Sequence, residues 1–261
     1  MKRRRFIAGI YNYCDRWCER CPHTARCRTY FDSERAARRQ RGKGKDPNDT
    51  AVAMETVSRS FEKARRMIAR TAKKEGWDLN NLTASADIEA VAEERRDRAS
   101  RRHPLVKSAE AYMEKCGKLL ERARPAFDGD REGAAERAEF MDVEAEADTL
   151  NAVAEAAHVL MWDHVLVTAK TYRAVNAKMG MCGEFPEWIC QTDADGSAFV
   201  ARNCFRRDMA ALKVLYDWED NLRDEIIDLL ALAERVVRGL EKHFPCCVDY
   251  QWPPEEKEEE E

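Results

Sequence analysis

Along most of the chain the apolar residues recur at three- and four-residue intervals, and a period-two alternation appears nowhere. Val57, Phe61, Ala64 and Ile68 stand at i, i+4, i+7 and i+11, which predicts an amphipathic helix capped at Thr50 and stopped at Gly76. Before it, Ser33 to about Gln40 has helical composition with an arginine-rich face. After a turn at Asn80–Ser85, a highly charged helix is predicted from about Ala86 to Arg101. Pro104 opens the next, with Val106, Ala109, Met113, Cys116 and Leu120 as its buried stripe and Pro125 as its end.

Asp128–Gly133 reads as a loop, and residues 134–179 are helix-compatible with a break near Asp142. Val153, Ala157, Leu160, Met161, His164 and Val167 mark a core helix there. An irregular stretch at 180–196 precedes a helix capped by Asp195 or Ser197 that runs to about Trp218. The last helix, from about Leu222 to Glu241, carries Ile226, Leu229, Leu230, Leu232, Val236 and Leu240. Six to eight helices and no strand make the expected fold all-α, a helical bundle.

Composition supports this reading. Only 11 Gly and 8 Pro in 261 residues, with 36% charged residues, disfavour loop-rich and β-sandwich folds. Gly42, Gly44, Asp46, Pro47 and Asn48 form the clearest linker, so the expected division is a module at 1–45, a helical domain at 46–252 and an acidic, solvated tail at 253–261. The net charge of −4 is unevenly spread: residues 1–45 hold 14 Lys and Arg against 4 Asp and Glu, a net of +10, which leaves −14 on residues 46–261.

Arg3, Arg4 and Arg5 precede an apolar run of only five residues, Phe6–Ile10, shorter than the ~7–15 of an export signal, and no stretch nears the ~20 apolar residues of a membrane span. A cytoplasmic protein with reduced thiols and no membrane association is expected, in which clustered cysteines are metal ligands rather than disulfides.

Four of the 10 Cys fall within fourteen positions: Cys14, Cys18, Cys21 and Cys27, spaced C-x3-C-x2-C-x5-C. On a helix the first three would share a face, with Cys27 returning from a loop begun at Pro22. Four converging thiolates suit tetrahedral Zn²⁺ or a [4Fe–4S] cluster, and Arg16, Arg20, Arg26 and Arg28 would offset the remaining charge and lower the thiol pKa values. The spacing is not a pair of zinc-ribbon knuckles. It also fits radical SAM enzymes, but no βα alternation follows.

Cys18-Glu19-Arg20-Cys21-Pro22-His23-Thr24-Ala25-Arg26-Cys27 resembles the C-x2-C-P-x4-C segment of iron–sulfur nucleases of the helicase–nuclease and CRISPR-adaptation type. That resemblance implies cluster-ligand roles for Cys18, Cys21 and Cys27 and leaves Cys14 as the fourth ligand. It does not carry the nuclease activity, which needs a strand-borne Asp and a Glu-x-Lys motif that an all-helical chain has nowhere to put. The opening as a whole resembles that of bacterial helical proteins labelled uncharacterised, a likeness that supplies no function.

Weaker patterns remain. Glu155 and His158 form a Glu-x-x-His with His164 nearby, the spacing of di-metal carboxylate bundles, yet no second copy exists and a chain with 49 acids produces one such match by chance. His243 with Cys246 or Cys247, and Cys182 with Cys190, are candidates for a second site or a redox pair, with plain packing the simpler reading. Arginines interleaved with Phe6, Tyr11, Tyr13, Trp17, Tyr30 and Phe31 suit phosphate contact and base stacking, or pairing with the acidic body or another copy. No phosphate loop or Ser/His/Asp arrangement is present. The expected function is therefore a metal-binding protein with a structural, redox-sensing or electron-transfer role. Its partner would be an unknown protein or another copy. The alternatives are a di-metal oxidase and a nucleic-acid-binding module.

Overall fold

The computed structural model describes residues 6–78, 83–127, 143–180 and 192–253. These form seven α-helices and four short 3-10 turns, with no strand among the described residues. The expected loop at Asp128–Gly133, the irregular stretch holding Cys182 and Cys190, and the acidic run after Pro253 lie outside the described residues. Chain contacts separate two units among the described residues, one within 6–11 and 16–95, the other within 12–15 and 96–253. The division thus falls near Arg95, and the first long helix belongs with the N-terminal segment.

The N-terminal unit contains helices α1 (Arg28–Arg41) and α2 (Thr50–Glu75) and the first part of α3 (Thr83–Arg102). Helix α1 starts five residues earlier than composition suggested, because Cys27 caps it. Asp49, not Thr50, caps α2: its carboxylate accepts the N–H groups of Ala51 and Val52 at 2.8 and 3.1 Å. Gly76 ends α2 with φ +72°, the left-handed turn that glycine makes without steric cost. Lys45 and Glu55 (2.8 Å), and Gln40 and Thr56 (3.3 Å), tie the α1–α2 connection to the first turns of α2.

The C-terminal unit is a four-helix bundle of α4 (Pro104–Phe127), α5 (Val143–Gly180), α6 (Asp193–Trp218) and α7 (Arg223–His243). Each packs on the next and α7 closes against α4. Thr168 donates to the Ala109 carbonyl, Arg173 pairs with Asp193 and Arg122 with Glu225, so neighbouring helices run antiparallel. The cap of α6 is Thr192, in a capping box with Asp195, rather than Asp195 or Ser197.

The core is close to the predicted stripes, with a few positions displaced by one residue. On α4 Tyr112 and Leu119 are fully buried where Met113 and Leu120 were expected, and on α5 Met161 is exposed. Leu160 and Val167 on α5, and Ile226, Leu229, Val236 and Leu240 on α7, are buried as the pattern requires.

Candidate functional site

The cysteine segment is not helical over Cys14–Cys21. Arg16 sits at φ +62°, Cys18 opens a 3-10 turn to Arg20, Cys21 ends it, and Thr24–Arg26 forms a second turn that delivers Cys27 to the start of α1. The N–H groups of Arg20, Cys21, Arg26 and Cys27 bond back to the Trp17, Cys18, His23 and Thr24 carbonyls within the two turns. Ile7, Ile10 and Trp17 are buried, the Ile7 N–H donates to the Arg26 carbonyl at 3.0 Å, and Arg20 stacks on Trp17 at 3.7 Å. The Cys27 sulfur accepts the Tyr30 N–H at 3.5 Å, which puts it at the positive end of α1.

Cys14, Cys18, Cys21 and Cys27 form no disulfide and are half-buried. Cys18, Cys21 and Cys27 belong to the N-terminal unit, and Cys14 to the segment counted with the bundle. Among the described residues no group of three or more His, Cys, Asp or Glu side chains converges as a metal site.

The weaker candidates disperse. Glu155 and His158 lie on an exposed face of α5, and His164 bonds the Leu160 carbonyl through Nδ1 at 2.8 Å. A di-metal bundle needs such ligands projecting inward. Cys246 is disulfide-bonded, against the expectation of reduced thiols throughout, while Cys247 is free and buried, and burial pushes its thiol up to about 11. His243 packs edge-on against His103, with ring centroids 5.3 Å apart. Burial, His243 and Lys178 lower the His103 pKa.

Within the bundle, side chains that pattern reading passed over form a buried polar network. Asp163 of α5 accepts two bonds from Arg207 of α6, both at 2.7 Å, and Arg207 also donates to Asp15 at 2.8 Å and to the Cys204 sulfur at 3.7 Å. One residue along, the Asp208 carboxyl receives the Tyr112 hydroxyl at 2.9 Å, and its other oxygen has no partner among the described residues. Burial, reinforced by Asp163, raises the Asp208 pKa well above the usual carboxylate range. Burial also raises the Tyr112, Cys116 and Cys204 pKa values, which leaves these thiols protonated and unreactive.

A signal for this network was in the sequence. Asp163 stands between Leu160 and Val167 on the buried stripe, Asp208 between Phe205 and Leu212, and Tyr112 between Ala109 and Cys116. Polar groups at stripe positions must be paired. Which group pairs with which depends on how the helices pack.

The Asn12–Asp15 strap is held by the bundle through further contacts. Trp162 donates to the Asp15 carbonyl at 3.0 Å, and the Tyr13 ring stacks edge-on to Tyr250 and lies over Gly196. No helix among the described residues is long and apolar enough to cross a membrane. No protein-family model, curated protein or solved structure matches this chain.

Proposed function

We propose that the N-terminal unit is a thiolate metal-binding module. Cys18, Cys21 and Cys27, with Cys14 as the fourth ligand supplied by the spacing, hold a [4Fe–4S] cluster, with Zn²⁺ as the alternative metal. The protein is a cytoplasmic component with a structural, redox-sensing or electron-transfer role. The observation that carries this reading is the Cys27 sulfur at the N-terminus of α1, bonded by the Tyr30 N–H, within a motif of four cysteines in fourteen residues that form no disulfide. A backbone N–H bonded to a ligating sulfur fixes the direction in which that ligand points. Metal binding would also supply ordering energy to a stretch built of short 3-10 turns rather than of a continuous helix.

Anaerobic purification followed by an absorption spectrum and metal analysis tests it. Brown protein with iron and sulfide in equal amounts is expected, and both are lost in Cys18→Ser. Colourless protein with one zinc per chain assigns Zn²⁺ instead. Protein that binds neither metal overturns the reading.

A second reading, nucleic-acid binding by the same unit, is favoured by one observation. Arg59, Lys63, Arg66 and Arg70 line one face of α2 beside a shallow groove of about 520 Å³. Contacts of that kind are to phosphate, so affinity must fall steeply between low and moderate salt. Binding that ignores salt removes it.

A further inference from the structure

His103 is the one residue between α3 and α4, and it stands where the ends of four helices meet. Its N–H donates to the Ser100 carbonyl at 3.1 Å and its carbonyl accepts the Lys107 N–H at 3.0 Å, so a single residue ends α3 and begins α4. The buried Ser100 hydroxyl bonds the Met179 sulfur, near the end of α5, at 3.3 Å. Buried Leu105 packs closely on α7, with one methyl 2.6 Å from where a Cβ would stand on Gly239. Lys178 of α5 donates to the His243 carbonyl at the end of α7 and lies over the Phe244 ring at 5.1 Å.

The imidazole of His103 caps α4. Pro104 takes the first helical position and has no N–H, so the Leu105 N–H is the first donor that needs a partner. Nδ1 of His103 accepts it at 3.2 Å. An imidazole can accept through Nδ1 only while it is neutral, because a proton there turns the acceptor into a donor that confronts the N–H. The first turn of α4 is therefore capped only while this ring is uncharged.

The surroundings of the ring oppose a proton. From α7 the His243 ring meets it edge-on, with centroids 5.3 Å apart and planes at 78°, and from α5 the Lys178 ammonium adds a fixed cation. Arg102 and Lys242 flank the two rings along the chain. The acids of the same elements are engaged elsewhere: Asp97 holds Arg101 at 2.9 Å, Glu110 holds Lys107 at 2.6 Å, and Glu241 holds Arg202 and Arg206 of α6 at 2.6 and 3.1 Å. Burial, His243 and Lys178 together hold the His103 pKa below its ordinary value.

We propose that this corner is an acid-sensitive latch, closed while neutral His103 caps α4 and packs against His243, and opened by one proton that removes the cap and sets a new positive charge beside Lys178. What loosens is the first turn of α4 together with its contacts to the ends of α5 and α7. The unfolded chain takes up this proton near pH ~6.5, before the native chain does. The latch therefore contributes its full stability above that pH and loses it as pH falls toward the native pKa. The device needs no metal, and none of its groups belongs to the N-terminal cysteine motif.

NMR titration of the full wild-type chain between pH 8 and 5, with labelled histidine and leucine, tests the latch. The His103 ring is expected to titrate below ~6.5. The Leu105 amide should shift with the same midpoint and, relative to its intrinsic rate, exchange about five- to tenfold faster once the ring is charged. His103→Asn supplies an acceptor that does not titrate. Its melting temperature should run parallel to that of the wild type above pH 7 and pull ahead as pH falls to 5. His243→Gln removes one facing imidazole and should raise the His103 midpoint. A Leu105 amide that ignores the titration of the ring overturns the cap, and a His103 midpoint above the ordinary value overturns the opposed charge. Melting curves of the wild type and His103→Asn that stay parallel down to pH 5 overturn the latch. The wild-type titration decides the proposal on its own should His103→Asn fold poorly.

Discussion

Asp163 and Arg207 form a two-bond ion pair across α5 and α6, with both N–O distances at 2.7 Å and the carboxylate wholly buried. The same guanidinium holds Asp15, so one residue fastens the Asn12–Asp15 strap to the bundle. Breaking a fully buried pair costs ~3–5 kcal/mol because the surviving charge is stranded.

Arg207 keeps about a third of its side chain in water, and Arg207→Met is accordingly expected to cost less, about 2–4 kcal/mol. Replacing both members, Arg207→Met with Asp163→Leu, should recover much of the loss. Urea unfolding of the two variants checks this, and a double variant as unstable as the single would show that the pair is not the source.

Asp208 carries a pH dependence whose sign follows from its raised pKa. Above the unfolded-state value near ~4 the unfolded chain releases this proton and the native chain does not, so the group's contribution to stability is lost as pH rises toward the native pKa. Asp208→Asn keeps an acceptor for the Tyr112 hydroxyl and removes the titration. The variant should gain on the wild type as pH increases and converge with it near pH ~4. Melting temperatures between pH 4 and 8 read this directly; parallel curves would contradict it.

Two glycines should respond oppositely to alanine. A Cβ at Gly196 would fall 2.5 Å from the rigid Tyr13 ring, which Tyr250 backs edge-on, so Gly196→Ala is expected to destabilise by about 1–3 kcal/mol. Adding Tyr13→Ala should remove part of that cost. Gly117, within α4, has nothing within 4 Å of such a Cβ, and Gly117→Ala should stabilise by about 0.5–1 kcal/mol through helix propensity. Thermal unfolding of the three variants measures both signs.

Cys27 has a capping role separable from metal binding. Serine is a good cap and a poor soft-metal ligand, whereas alanine is neither. In metal-free protein Cys27→Ser should match the wild type and Cys27→Ala should lose about 0.5–1 kcal/mol, while both lose the metal. Metal content together with metal-free unfolding separates the two effects.

The sequence by itself determined the helices, because a three-to-four periodicity with few glycines and prolines has no other regular solution. It located α2, α4 and α7 within a few residues and read most of the α5 and α7 core. It also singled out the four N-terminal cysteines, since spacing is a property of the chain alone. Caps were less legible: Asp49, Thr192 and Cys27 took positions that neighbouring residues could fill on composition alone.

Only the tertiary structure decided which periodic faces are covered. Val57, Phe61 and Ile68 stand at the same spacing as Leu229, Ala233 and Leu240, yet the first set is exposed and the second buried. Periodicity states that a face needs a partner and does not say whether the chain provides one. For the same reason Tyr112 displaced Met113 in the core and Asp163 found Arg207. Such pairings depend on the rotation of packed helices about their axes, a relation between distant segments that no local pattern encodes.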